Sequence, residues 1–507
     1  MERLLSLCIV AFFCVQLDAA LADRDDLKRH RHPNPERRGI GTKRSDDIRK
    51  YSGKRKAKEV AIDERKSLFV TDVEILKHFT FDELIAKLAK DSGDQKLTKA
   101  RLFQQWWDTA NTKDKFNLNL GGPNCDSPDI RDLLNGFTYA CPRDEGEQVI
   151  HQPFGASTPA GYTAIALVNR FDLADAPSDA PAHDCGEYRI IFERNSGASV
   201  DLNRNLIIFE AVLRNPKPKV GSLEGCLSVQ QFWAELSKPG KSIAQRAELL
   251  HDFYYETDKK KDKTGLRKRG FDAVVTAKNY GSATTAAPGQ IRTNQFMTSV
   301  NPPQVEGHAE WLLREFHLVQ DPTVGIRFMP HEDATNPPAL LFDETDHHPK
   351  GKDFRSEFPN HVEELSKDDV DFLKMDTPDE FDSADSEATA FKPPGPMNYV
   401  KAFEQSPQLK AAIEAKVGSG SKLTAEDIVK RAQTQTCAGC HRLSAQGNEA
   451  ADLGGGLKWP ASLGFTHAQL KGPEDGPDGK RFQISDALKN DFLPHRKKVM
   501  IDFLKGE

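Results

Sequence analysis

Three runs near the middle of the chain restrict its fold more than any other feature. Residues 162–173 (YTAIALVNRFDL), 188–193 (YRIIFE) and 205–213 (NLIIFEAVL) are apolar and rich in β-branched residues, and Gly, Pro, Asn or Asp bounds them. Such runs read as strands of one buried sheet. Residues 290–299 (QIRTNQFMTS) alternate polar with apolar, and residues 311–319 (WLLREFHLV) add a further strand-like run. Between them, residues 227–236 and 243–255 carry helical spacing. Helices are also expected over 67–90, behind the capping-box pattern Thr71-Asp72-Val73-Glu74, and over 97–109. In the latter, Leu102, Trp106 and Trp107 form the side expected to be buried. The reading is an α+β domain, a mixed sheet with helices, over residues 67–395.

That domain shows no nucleophile elbow, no phosphate-binding loop and no His-Glu-x-x-His. His347-His348 lies among acidic residues without a ligand spacing, and is read as an exposed loop. Residues 376–387 (DTPDEFDSADSE) are read as a linker or solvated face. Asn205, Asn215 and Asn294, with Arg170 and Arg292, stand beside the strand runs as candidates to line a cleft.

Residues 1–22 read as a cleaved export signal: Arg3, an apolar core over residues 4–17, and Ala20-Leu21-Ala22 at the cut. Residues 23–66 hold 16 Lys and Arg against 9 Asp and Glu, with few large apolar side chains, and read as a basic disordered tail. No later stretch has the length of a transmembrane helix, so no membrane anchor is expected. The remainder is acidic, which argues against a nucleic-acid partner. Export, to the periplasm or outside the cell, changes the meaning of the eight cysteines. Six lie beyond the signal. Cys125, Cys141, Cys185 and Cys226 form an even set in an oxidising compartment and are expected to make two disulfides. Four cysteines allow three connectivities; sequential pairing closes the most local loops.

The last two cysteines stand in Cys437-Ala438-Gly439-Cys440-His441. A Cys-x-x-Cys-His run is an attachment signature for c-type haem: two thiols about one helical turn apart each form a thioether, and the following histidine supplies a nitrogen to the iron. Two other readings use the same residues. One is a Cys437–Cys440 disulfide in an exported, cofactor-free binding or surface protein. The other is half of a zinc site, for which His467 and His495 make a poor second half.

The surroundings of the motif resemble a small class I c-type cytochrome domain. Residues 391–396 (FKPPGP) mark a boundary. Thr424-Ala425-Glu426-Asp427 caps a helix that leads into Cys437, a glycine-rich loop follows, and a closing helix begins near Pro494 and carries Val499, Met500, Phe503 and Leu504 on one side. The resemblance covers about residues 423–507. It implies an all-α haem domain over 396–507, one covalent haem c, His441 as the iron's proximal ligand, and electron transfer to a redox partner protein. It also implies that the carbonyl of Pro460 holds the His441 ring. The Met-Pro pair that the family places before its last helix is replaced by Leu493-Pro494-His495. The second axial position is therefore left to His495, Met500 or His467, or stays open.

Overall fold

The computed structural model describes residues 61–108, 133–138, 152–174, 177–200, 203–281, 289–297, 310–321, 325–389, 397–445 and 451–506. The expected signal, most of the basic tail, Cys125, Cys141, the 391–396 boundary and the side chains of Trp106 and Trp107 lie outside the described residues.

The strands, in chain order, are β1 (Phe69–Val70), β2 (Leu133–Leu134), β3 (Phe137–Thr138), β4 (Tyr162–Arg170), β5 (Asp184–Arg194), β6 (Asn205–Arg214), β7 (Gln290–Met297), β8 (Glu310–Asp321), β9 (Gly325–His331), β10 (Asp385–Thr389), β11 (Ala468–Gly476) and β12 (Gly479–Ile484). The apolar runs became β4, β5, β6, β7 and β8. These lie side by side in chain order, with β1 beyond β4. At the other edge, β10 pairs with residues 310–314 of β8 and β9 with residues 315–321. Every described pairing is antiparallel, where a mixed sheet was expected. Neighbouring strands run in opposite directions even across the long β6–β7 connection, which carries the helices Leu227–Glu235 and Ile243–Tyr255.

The helices used below are α1 (Phe81–Asp91), α2 (Leu227–Glu235), α3 (Ile243–Tyr255), α4 (Ala425–Gln433) and α5 (Leu493–Lys505). Residues alternate between faces along a strand, and the two faces of this sheet differ. One is apolar and lies under α1, α2 and α3: Phe192 meets Phe81 edge-on at 5.3 Å, and Tyr188 meets Phe253 at 5.3 Å and Trp233 at 6.0 Å. The other carries a charge on almost every strand and faces the C-terminal residues.

Before the sheet, the expected helix over 67–90 is broken. A single turn at Glu64–Ser67, β1 and a single turn at Val73–Leu76 precede α1. Asp72 makes no side-chain cap; its carboxylate lies 3.6 Å from the buried Arg246 instead. Thr80 starts α1 by accepting from Glu83 N at 3.1 Å. Further on, Cys185 at the start of β5 is bonded to Cys226, the residue before α2 and its partner under sequential pairing. Residues 376–387 are not a solvated face. Asp382 is buried and accepts from the backbone N–H groups of Thr335 and Asn336, and Asp385 pairs with Arg314.

The C-terminal residues are helical around the motif but not throughout. Short helices at Tyr399–Phe403 and Pro407–Val417 precede α4, whose Thr424–Asp427 capping box is formed as expected. The β11–β12 hairpin then interrupts the helical pattern. It is tied to the earlier residues: Phe482 N donates to Thr71 O at 3.0 Å and Leu470 N to Glu193 at 2.6 Å. Phe503 of α5 packs on Phe171 with ring centroids 4.6 Å apart. Leu488, Phe492, Val499, Met500 and Phe503 belong to the same hydrophobic core as the sheet. The described residues on both sides of the 391–396 boundary thus fall in one compact unit. None of the described helices is long and apolar enough to cross a membrane.

Candidate functional site

The Cys-x-x-Cys-His run lies where α4 ends. The chain tightens at Gly439–Leu443 into a turn of π-helix, a local form that often marks a functional site. Gly439 has no substitute there, because a Cβ would sit 1.6 Å from the carbonyl oxygen of Gln433. Ser386 of β10 accepts from Ala438 N at 2.9 Å and anchors the turn to the sheet edge. Cys437 and Cys440 are both free and buried. Burial pushes both thiols up, that of Cys440 to about 12 against the opposing pull of Arg496 and Arg170.

His441 is held from several sides. Its ring stacks on Trp311 of β8 at 5.4 Å. Its Nδ1 lies 3.1 Å from the carbonyl oxygen of Phe465. A carbonyl only accepts, so Nδ1 carries the proton and Nε2 of the neutral ring keeps a lone pair. The expected partner was Pro460. Instead, Trp459 Nε1 and Ser462 Oγ bind the carbonyls of Cys440 and His441, and the chain presents a carbonyl to the ring only after a tight turn at Gly464 and Phe465. Both turn residues are left-handed, with φ of 58° and 71°. That is strained for a phenylalanine. The turn is clamped from the sheet: Arg204 donates to Gly464 O at 2.7 Å and Asn294 to Phe465 O at 3.1 Å.

The same turn delivers His467. Its ring centroid is 4.6 Å from that of His441, its Nε2 is 3.4 Å from Cys440 Sγ, and its Nδ1 is 2.8 Å from Ser485 Oγ. One ligand atom each from Cys440, His441 and His467 lies within 4.8 Å of the other two. Burial pushes both imidazoles down, His441 to about 4, so both are neutral ligands at neutral pH.

These groups open on a cavity of about 150 Å3 between the motif and the charged face of the sheet. Its apolar walls include Phe69, Ile191, Ile208, Leu313, Leu488 and Phe492. Four arginines also line it: Arg170, Arg189, Arg292 and Arg496. The sheet residues among them form a ladder across the strands. Arg189 pairs with Glu210 at 2.9 Å, Glu210 with Arg292 at 3.1 Å, and Arg292 with Glu315 at 2.9 Å. Arg170 binds Asp172 through two nitrogens. Arg496 Nε is buried and meets no hydrogen-bond acceptor.

Of the residues expected to line a cleft, Arg170, Arg292 and Asn294 do so. Asn205 instead accepts from the Tyr162 hydroxyl, and Asn215 donates to Ala182 O. His348 stacks on Phe137, away from this site. Of the three residues named for the second axial position, only His467 lines the cavity. Met500 is fully buried in the core, and His495 faces Phe372 and Asp371, with Nδ1 3.9 Å from the carboxylate. The hairpin explains this: it separates His467 from α5, and Leu493–His495 start a helix whose Phe503 packs on Phe171.

Asp371 carries a pH dependence. Burial, with Asp369 adding to it, pushes its carboxyl up to about 7. An acid with a folded value above its unfolded value of about 4 destabilises the fold as pH rises from about 4 to about 7. Asp371→Asn is therefore expected to be about 2–4 kcal/mol more stable than the parent above about pH 7 and equal to it near pH 4. Urea unfolding at the two pH values measures this, and equal stability at both would remove the assignment.

Sequence reasoning missed Arg189, Glu210, Glu315 and Arg496. For Arg189, Glu210 and Glu315 the available signal was a charged residue inside an otherwise apolar strand run; Arg496, on α5, had none. Compared with family models, curated proteins and solved structures, the chain finds no match.

Proposed function

We propose that this chain is an exported monohaem c-type protein that transfers electrons, with haem c held in the cavity between the motif and the charged face of the sheet. Cys437 and Cys440 would carry the two thioethers, and His441 Nε2 would bind the iron. The observation that carries this reading is the convergence of both thiols, two neutral imidazoles and four arginines on one cavity. The donor set fits the group, while the cavity of about 150 Å3 is smaller than a porphyrin and its walls would have to part to admit one. The thiols are free, the Phe465 carbonyl leaves the metal-binding nitrogen of His441 available, and Arg496, whose Nε stands 3.8 Å from Asp172 without hydrogen-bonding it, keeps a donor for a porphyrin carboxylate. When bound, the group supplies one-electron chemistry at an iron whose potential follows its axial ligands. The chain's own residues orient His441 through Trp311 and Phe465 and surround the site with apolar walls. A flat ligand between His441 and His467 requires those rings to part from their 4.6 Å spacing.

A second reading rests on the distances among Cys440, His441 and His467. Sulfur and nitrogen ligands of one tetrahedral zinc ion stand about 3.5 Å apart, and Cys440 Sγ and His467 Nε2 stand 3.4 Å apart. One preparation separates the readings. The protein is made beside a cytochrome maturation system, run on a denaturing gel and stained for haem peroxidase activity. Stain that disappears in Cys437→Ala with Cys440→Ala supports the haem. An unstained protein that retains one zinc, lost in His467→Ala, supports the ion. An unstained, metal-free protein two protons lighter at Cys437 and Cys440 is the cofactor-free disulfide form.

A further inference from the structure

A second set of ligating side chains stands at the far edge of the sheet. Glu315 and His317 are two residues apart on β8, so they share a face. His331 of β9 stands directly opposite Glu315 in the strand register. One ligand atom from each of the three lies within 4.8 Å of the other two. The rings of His317 and His331 are stacked, with centroids 4.0 Å apart and planes 18° apart. His317 Nε2 is 3.0 Å from Glu315 Oε1. Glu332 holds the His331 ring, with Oε2 3.2 Å from Nδ1, as outer carboxylates orient ligating histidines.

A histidine–carboxylate hydrogen bond accounts for His317 and Glu315 alone. It does not account for the second imidazole stacked against the first, nor for Asp333. Asp333 follows His331 by two residues and is fully buried, and neither carboxylate oxygen meets a hydrogen-bond donor. Access is also present: the side chains of His317 and His331 are 12% and 30% exposed, and Glu315 lies beneath them at 5%.

We infer that Glu315, His317 and His331 bind a divalent transition-metal ion at the β8–β9 edge, independently of the Cys437–His441 site. Two imidazoles and one carboxylate with open positions are the ligand set of non-haem iron(II) sites, and zinc accepts the same donors. Glu315 offers Oε1 to the ion while Oε2 keeps Arg292 at 2.9 Å. Arg292 in turn lines the cavity beside Cys437. The ion's charge is thus one side chain removed from the first site.

The test uses the full chain carrying His467→Ala, so that the Cys440 cluster is incomplete. After dialysis against chelator, cobalt(II) is titrated and followed by its visible bands, with zinc(II) as competitor. One equivalent is expected. Affinity should fall more than about tenfold in His331→Ala and in His317→Ala, with unchanged far-ultraviolet circular dichroism. Glu315→Gln is a weaker test, because it also removes the Arg292 ion pair. The inference is overturned if the background protein binds no cobalt, or if it binds cobalt equally well without His331 and without His317.

Discussion

Replacing His467 with alanine is expected to convert a low-spin haem spectrum into a high-spin one while leaving the covalent attachment intact. This rests on the proposed haem reading. Phe465 O engages His441 Nδ1 and leaves its Nε2 to offer, while His467 has Nδ1 2.8 Å from the Ser485 hydroxyl and Nε2 3.4 Å from Cys440 Sγ, on the side of the cavity. Two imidazoles on opposite sides of one iron need their rings farther apart than the present 4.6 Å, so His467 would swing away from His441 as the group enters. Removing one of two imidazoles leaves an open sixth position, where carbon monoxide binds the reduced protein. His495→Ala and Met500→Leu should keep the low-spin spectrum, since neither residue lines the cavity. A high-spin change in His495→Ala, with His467→Ala unchanged, would reverse the assignment of the second axial ligand.

Much of the sheet was legible in the sequence because buried strands declare themselves locally. β4 to β8 are contiguous apolar or alternating runs, and nothing outside each run is needed to see it. The site is another matter. Cys437–His441 is a local motif, but the cavity it faces is built from Arg170, Arg189 and Arg292, which lie far earlier in the chain. Only the register of the β4–β8 pairings places those charges on one face. Asp382 shows the reverse error. An acidic stretch looks solvated by composition, yet backbone N–H groups of Thr335 and Asn336 satisfy this carboxylate inside the fold. His467 does not stand apart from His495 and Met500 in the sequence because the hairpin after it has weak strand character. Residues 468–476 (AQLKGPEDG) contain two glycines and a proline. Without that hairpin, the loop before α5 is the natural place to look.

Asp172→Asn should be among the most destabilising single substitutions in the chain, costing about 3–5 kcal/mol at neutral pH. Asp172 is fully enclosed, and Arg170 grips both of its oxygens at 3.0 and 2.8 Å. Arg496 stands 3.8 Å away on the other side. Burial alone pushes this carboxyl up, but Arg170 and Arg496 overcome it and hold it down at about 2. The amide keeps the shape and removes the charge, so two enclosed guanidiniums lose their common counter-ion. The pH dependence follows from the direction of the shift. A carboxyl with a folded value near 2 and an unfolded value near 4 contributes stability above about pH 4 and loses it as pH falls toward about 2. The parent protein should therefore approach the variant across that window, because its own Asp172 becomes protonated there. Urea unfolding of both proteins at neutral pH and through the acid range tests this. A difference below about 1 kcal/mol at neutral pH, the range of exposed ion pairs, or one that does not narrow in acid, would mean that the Arg170–Asp172–Arg496 cluster does not hold α5 against the sheet through charge.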